Sequence, residues 1–95
     1  SFERELLKDL YINALTTVGN YYLSQNNTAQ SIIHARKILD VDRVQDDGYE
    51  LLFKSLIASG NISELNKSWV ICQAAYRREF LAHPPKHLAA LVGTL

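Results

Sequence analysis

His83 and His87 stand four residues apart, and Cys72 lies upstream of them. A thiolate and two imidazoles are metal-ligand types. However, Pro84 and Pro85 fall between the histidines and prevent one continuous helical face. Cys72 shares an apolar stripe with Leu65, Trp69 and Tyr76, which predicts a buried, inert thiol rather than a nucleophile. His34 has no ligand-spaced neighbour and reads as an ordinary structural or surface histidine. The acidic residues Asp40, Asp42, Asp46, Asp47 and Glu50 suggest a cation loop. Their spacing departs from the calcium-loop pattern and no glycine stands at the needed place, so helix capping and a solvated connector explain them. Three Asn-x-Ser/Thr triplets begin at Asn26, Asn61 and Asn66. The first two fit turn and cap positions, and the third falls inside a helix. There is no phosphate-binding glycine loop, nucleophile elbow or convincing acid–base pair. No catalytic, cofactor-binding or metal-binding residue is expected, and the chain is not read as an enzyme.

The elements carrying these residues read as helices throughout. Between Phe2 and Gln25, Leu6, Leu7, Leu10, Tyr11, Ala14, Leu15, Val18 and Tyr22 recur at three- and four-residue steps, which predicts one amphipathic face. Asn26-Asn27 interrupts that helix, because short amides compete for backbone hydrogen bonds. Asn27 with Gln30 resembles a capping box for a second helix reaching about Val41, with Ile32, Ala35, Ile38 and Leu39 inward. Asp42 to Asp47 forms a connector. Asp47 and Glu50 predict a capped third helix that carries Tyr49, Leu52, Phe53, Leu56 and Ile57 and stops at Gly60. Asn61 or Ser63 caps the fourth, whose stripe is Leu65, Trp69, Cys72, Tyr76 and Phe80. His83-Pro84-Pro85 ends it, and a proline at the first helical position opens a short fifth helix with Leu88, Leu91, Val92 and Leu95.

Shifted by 34 residues, the chain matches itself at core positions. Leu15 falls on Tyr49, Val18 on Leu52, Tyr22 on Leu56, Ala35 on Trp69 and Ile38 on Cys72, while Asn26-Asn27 falls on Gly60-Asn61. A period of about 34 with two helical halves is the tetratricopeptide signature. The expected fold is all-α: a tetratricopeptide-like right-handed superhelix of two helix pairs plus a C-terminal capping helix. It forms a single domain over 1–95, with repeat one at about 12–45, repeat two at about 46–79 and the last helix at about 85–95. Gly19 takes the small position of the first helix, where repeat two has Phe53. Ser31 stands where Ala is usual, opposite Leu65. Trp69 fills the aromatic position that Ala35 leaves small, so Trp69→Ala is expected to cost about 3–5 kcal/mol. The first helix is extended by about two turns before Ile12, and the fifth is expected to cover the stripe of the fourth.

Composition narrows the function. Ten Lys and Arg balance ten Asp and Glu, for a formal net charge of zero. Direct nucleic-acid binding, which needs a basic face, is therefore not expected. No apolar run approaches a membrane span, and no signal peptide is visible. The one cysteine fits a reducing, cytoplasmic setting. A chain that opens on Ser1 and has no Met reads as a domain cut from a longer protein.

From Gly60 to Leu91 the sequence resembles the end of the bacterial transcriptional activator domain. The residues that carry the resemblance are Gly60, Glu64-Leu65, Trp69, Arg77-Arg78-Glu79, His83-Pro84 and Leu88-x-x-Leu91. Upstream, Leu51-Leu52-Phe53 is similar to that family's Leu-Leu-Met run, and Glu3 to Leu15 to its first helix. Three positions depart from the pattern. His83 replaces an acidic residue before Pro, Phe80-Leu81 replaces Leu-Gly, and Asp42-Arg43 replaces Asp-Pro. The resemblance implies a regulatory, protein-interaction module beside a winged-helix DNA-binding domain, as in antibiotic-regulatory-type activators. A free-standing adaptor that holds a peptide or partner in its groove is the alternative.

Protein partners or neighbouring domains of the same chain are expected, together with compatibility with an oligomer. By repeat register the inner groove is lined by Asn13, Thr16 and Asn20 of repeat one and Asp47, Glu50 and Lys54 of repeat two. A second candidate surface is the basic strip Lys67, Arg77, Arg78 and Lys86, opposing the acidic connector.

Overall fold

A computed structural model of the chain describes residues 1–93, and the expected inward Leu95 lies outside the described residues. Five helices run in order: α1 Phe2–Ser24, α2 Thr28–Val41, α3 Asp46–Ala58, α4 Ile62–Phe80 and α5 Lys86–Gly93. No strand occurs among the described residues. Each helix packs on the next, apart from the α4–α5 turn where contact is slighter, and α3 also meets α1 and α5. Thus α1, α3 and α5 form one row, with α2 and α4 beside it. The molecule spans 41 × 34 × 17 Å, a slab about two helices thick.

The boundaries follow from local chemistry. Ser24 and Ala58 end α1 and α3, and Thr28 and Ile62 open α2 and α4. Both pairs lie 34 positions apart. The turns between them repeat as well: Asn26 and Gly60 have φ of 59° and 73°. Asn27 and Asn61 then take nearly the same backbone angles, φ −89° and −87° with ψ 74° in both. Their side chains accept from Gln30 N and Glu64 N at 3.3 and 3.2 Å, which satisfies one orphan donor at each helix start.

Two expected boundaries shift. Asp47 does not cap α3; the cap is Gln45, with no side-chain hydrogen bond, and Asp46 and Asp47 sit in the first turn. There their carboxylates still favour the positive helix end. Pro85 lies one residue before α5 and accepts from Leu88 N and Ala89 N through its carbonyl, so it acts as the cap rather than the first helical residue.

The core centres on α3. Gly48, Tyr49, Leu51, Leu52, Phe53, Ser55 and Leu56 are all buried, as a helix enclosed by four neighbours requires. Aromatic rings fill the second pair: Tyr49 stacks near Phe53 at 5.7 Å, and Phe53 meets Trp69 edge-on at 6.1 Å and 72°. In the first pair, small residues fill the corresponding space. Ala35 is fully buried, and a Cβ on Gly19 would run into Leu51 Cδ2 and come within 3.1 Å of His34 Cβ. A Cβ on Gly48 would meet Ile38 Cγ2 and Leu39 Cδ2, each at 2.8 Å. Farther along the same seam, beyond Gly19, lies the buried pair Ser31 and Ser55, with hydroxyls 2.6 Å apart. One donates to the other, which donates to a carbonyl of its own helix, Leu51 O or Thr28 O. Ser31, expected where Ala is usual, is thus a polar tie between the pairs.

Three packing expectations change. The buried face of α1 holds Ile12, Leu15 and Gly19, whereas Leu6, Leu7, Leu10, Tyr11 and Val18 are exposed. The apolar set spans two stripes, and α2 and α3 cover one edge of it. Trp69 is only half-buried, packed against the core rather than inside it, so its truncation costs less than the range for an enclosed aromatic. Phe80 and Leu81 are exposed, and α5 buries Leu88 mainly by lying along α3, with a slighter contact to α4.

Gly19→Val is expected to destabilise the domain by about 1–3 kcal/mol through overpacking against Leu51 and His34, read from urea melts. Leu81 ends α4 in the left-handed conformation, φ 54°, ψ 38°, and is 91% exposed. Leu81→Gly is therefore expected to gain about 1 kcal/mol in the same melts, because glycine adopts that conformation without the Cβ cost.

Candidate protein-interaction surfaces

The connector between the helix pairs is pinned by two tyrosines. Tyr49 Oη donates to Arg43 O at 2.7 Å. Tyr76 Oη lies within reach of Val44 O, at 3.1 Å, and of the Asp46 carboxylate. Cys72 lies fully buried beside them. Burial, and secondarily Asp46, pushes the Cys72 thiol from its ordinary 9.0 up to about 12. Burial, then nearby Cys72, raises Tyr49 from 10.0 to about 12. Tyr76 rises as well, first through burial and then through its hydrogen bond to Asp46. Burial thus disfavours the thiolate, the form that acts as a nucleophile. The cluster joins α4 to the connector.

The residues expected to line a groove all reach the surface or its edge. On α1, Asn13 and Asn20 are exposed and Thr16 is half-buried. Thr16 Oγ1 donates to Ile12 O at 2.8 Å, and Asn20 Nδ2 donates to Thr16 O at 2.9 Å. Both side chains are thus engaged with their own helix. On α3, Glu50 and Lys54 pair at 3.7 Å, and Asp47 is exposed. The two helices are neighbours, so both sets lie on one row. No hydrogen bond or ion pair links the two sets among the described residues.

Lys67, Arg77, Arg78 and Lys86 are exposed. Arg77 and Arg78 occupy the last turn of α4, where cations complement the negative helix end. Among the described residues none of the four pairs with the acidic connector. His83 and His87 are exposed, in the α4–α5 link and on α5.

A surface that sequence analysis missed lies between α2 and α4. It is a half-open groove of about 420 Å³ with Leu39, Leu52, Ile71 and Ala74 in its lining and Arg36, Asp40, Arg43 and Arg78 among its polar residues. Arg36 also reaches Glu64 Oε1 at 3.1 Å, a link between two helices whose backbones do not meet. Arg43 and Arg78 have no carboxylate partner among the described residues. Arg36 lies on α2 and Arg43 in the connector beyond it, so no helical spacing marks this edge. Nothing in sequence brought Arg78 to it.

Comparison with family models, with curated proteins and with solved structures finds no match.

The buried acids yield a pH dependence. Each has a folded pKa above its ordinary value, so each contributes stability that is complete below the ordinary value and lost as pH rises toward the folded one. Stability is expected to fall between about pH 9 and pH 12. Cys72→Ala is expected to move the onset to about pH 10, where Tyr49 and Tyr76 begin to count. Thermal melts from pH 7 to 12 check this; an unchanged onset contradicts it.

Proposed function

We propose that this chain is a non-enzymatic regulatory and protein-interaction domain, of the kind bacterial transcriptional activators carry beside a winged-helix DNA-binding domain. The observation that supports this reading is the recurrence at 34 positions of helix ends, cap residues and cap angles in two successive helix pairs. Such pairs stack into tetratricopeptide-like scaffolds whose faces hold partners. In this reading α5 closes the C-terminal end, since it lies on α3 and touches α4. The balanced charge agrees with a division of labour in which another domain contacts DNA. No helix among the described residues is long and apolar enough to cross a membrane.

The arginine-edged groove between α2 and α4 favours the second reading, an adaptor. An apolar floor with two unpaired guanidinium groups suits an acidic, amphipathic peptide.

A fluorescence-anisotropy titration of labelled duplex DNA at physiological salt distinguishes direct readout from regulation. The domain is expected to show no binding up to about 100 µM, below even the usual non-specific range. Saturable binding overturns the proposed division of labour. The reading frame around Ser1 supplies the second arm. A winged-helix domain encoded before it supports the activator reading, and a chaperone or secretion module there replaces that reading with the adaptor.

A further inference from the structure

The outer face of α1 is apolar and uncovered. Leu7, Leu10, Tyr11, Ala14, Val18 and Tyr21 form a stripe at steps of three and four, all exposed. Its role is legible from the repeat. Moved 34 positions, Ala14, Thr17, Val18 and Tyr21 become Gly48, Leu51, Leu52 and Ser55 of α3. Those four residues are buried on the side where the first pair packs. Gly48 lies under Ile38 and Leu39, Leu51 lies against Gly19, and Ser55 bonds Ser31. The α1 stripe is therefore the stacking face of a helix pair with nothing stacked on it.

Three features of that face fit a second copy of the same helix running antiparallel. The stripe is symmetric about Ala14: Leu7 and Tyr21 lie seven residues to either side, and Leu10 and Val18 four. In an isologous contact the patch meets itself, so such symmetry sets apolar residues opposite apolar ones. It sets the smallest side chain at the two-fold axis, where helices approach most closely. From Leu10 to Ile33 the chain has no Asp, Glu, Lys or Arg. The charged N-terminal turns of one copy would then face the uncharged C-terminal half of the other, without like-charge repulsion. The stripe also has apolar area left to bury: Leu7, Leu10, Tyr11, Val18 and Tyr21 are 42% to 66% exposed.

We propose that this chain forms a two-fold symmetric dimer in which the α1 helices pack antiparallel across Ala14, each supplying the stacked neighbour that the other's first helix pair lacks. This goes beyond the regulatory reading and does not depend on it.

Light scattering after size exclusion and sedimentation equilibrium, at about 1–100 µM, read the assembly state of the 95-residue chain. A dimer is expected. Ala14→Arg sets two like charges at the axis and is expected to weaken the dimer by about 100-fold or more. Far-UV circular dichroism should stay unchanged, since Ala14 makes no buried contact. Tyr21→Glu, at the far end of the stripe, is expected to act in the same direction, while Glu79→Lys, exposed on α4, leaves the dimer intact. A monomer throughout the range overturns the proposal. So does a dimer that survives both Ala14→Arg and Tyr21→Glu, since its interface would lie elsewhere.

Discussion

The seam between the two helix pairs is the constraint on which the rest of this structure depends. The first pair can lie on α3 only where side chains are small enough to let backbones approach. Gly19 admits Leu51, Gly48 admits Ile38 and Leu39, and Ser31 meets Ser55 hydroxyl to hydroxyl. A single added methyl at either glycine collides with the opposite helix. The serine pair carries a different cost: a hydroxyl buried without a partner loses more than its hydrogen bond contributes. Ser31 and Ser55 must therefore stay in register. Close approach supplies dispersion contacts along the whole seam, and the serine bond fixes its alignment.

From that seam the position of α3 follows, and with it the division of the molecule. As the member of the second pair that meets the first, α3 is enclosed by four helices, so its Leu51-Leu52-Phe53 run has no solvent side. The second pair then fills its interior with aromatic rings where the first uses Ala35 and Gly19. This is how two copies of one plan, 34 residues apart, reach similar backbones with different volumes. The connector is held at the same junction, with Tyr49 donating to Arg43 O and the Tyr76 hydroxyl set against Val44 O and the Asp46 carboxylate. Packing and polar ties thus converge on one place.

Much of this was legible in sequence because it is local. Asn27, Asn61 and Gly60 encode caps and turns within a few residues, so the helix ends were readable closely. The inner stripe of α1 was not. Its apolar residues wrap around two faces, and periodicity alone cannot say which one a neighbour covers. Ile12 and Gly19 are buried because α2 and α3 arrive on that side. The α3 cap was misplaced for a related reason: Gln45 makes no side-chain bond, while Asp47 looks like a cap and sits in the first turn. The groove between α2 and α4 was invisible, since Arg78 comes from a helix remote in sequence from Arg36 and Arg43. Cys72 is buried on α4, while His83 and His87 are exposed in the α4–α5 link and on α5.

The claim that the seam binds both pairs into one cooperative body is tested most directly by native-state hydrogen exchange across a denaturant series. Amides from Ala35 to Leu39 in α2 and from Leu52 to Leu56 in α3 are expected to converge on one opening free energy equal to that of global unfolding. If the α2 amides instead open in a separate, lower-energy step while α3 and α4 stay protected, the two pairs fold as independent units, and the seam is not what holds the structure together.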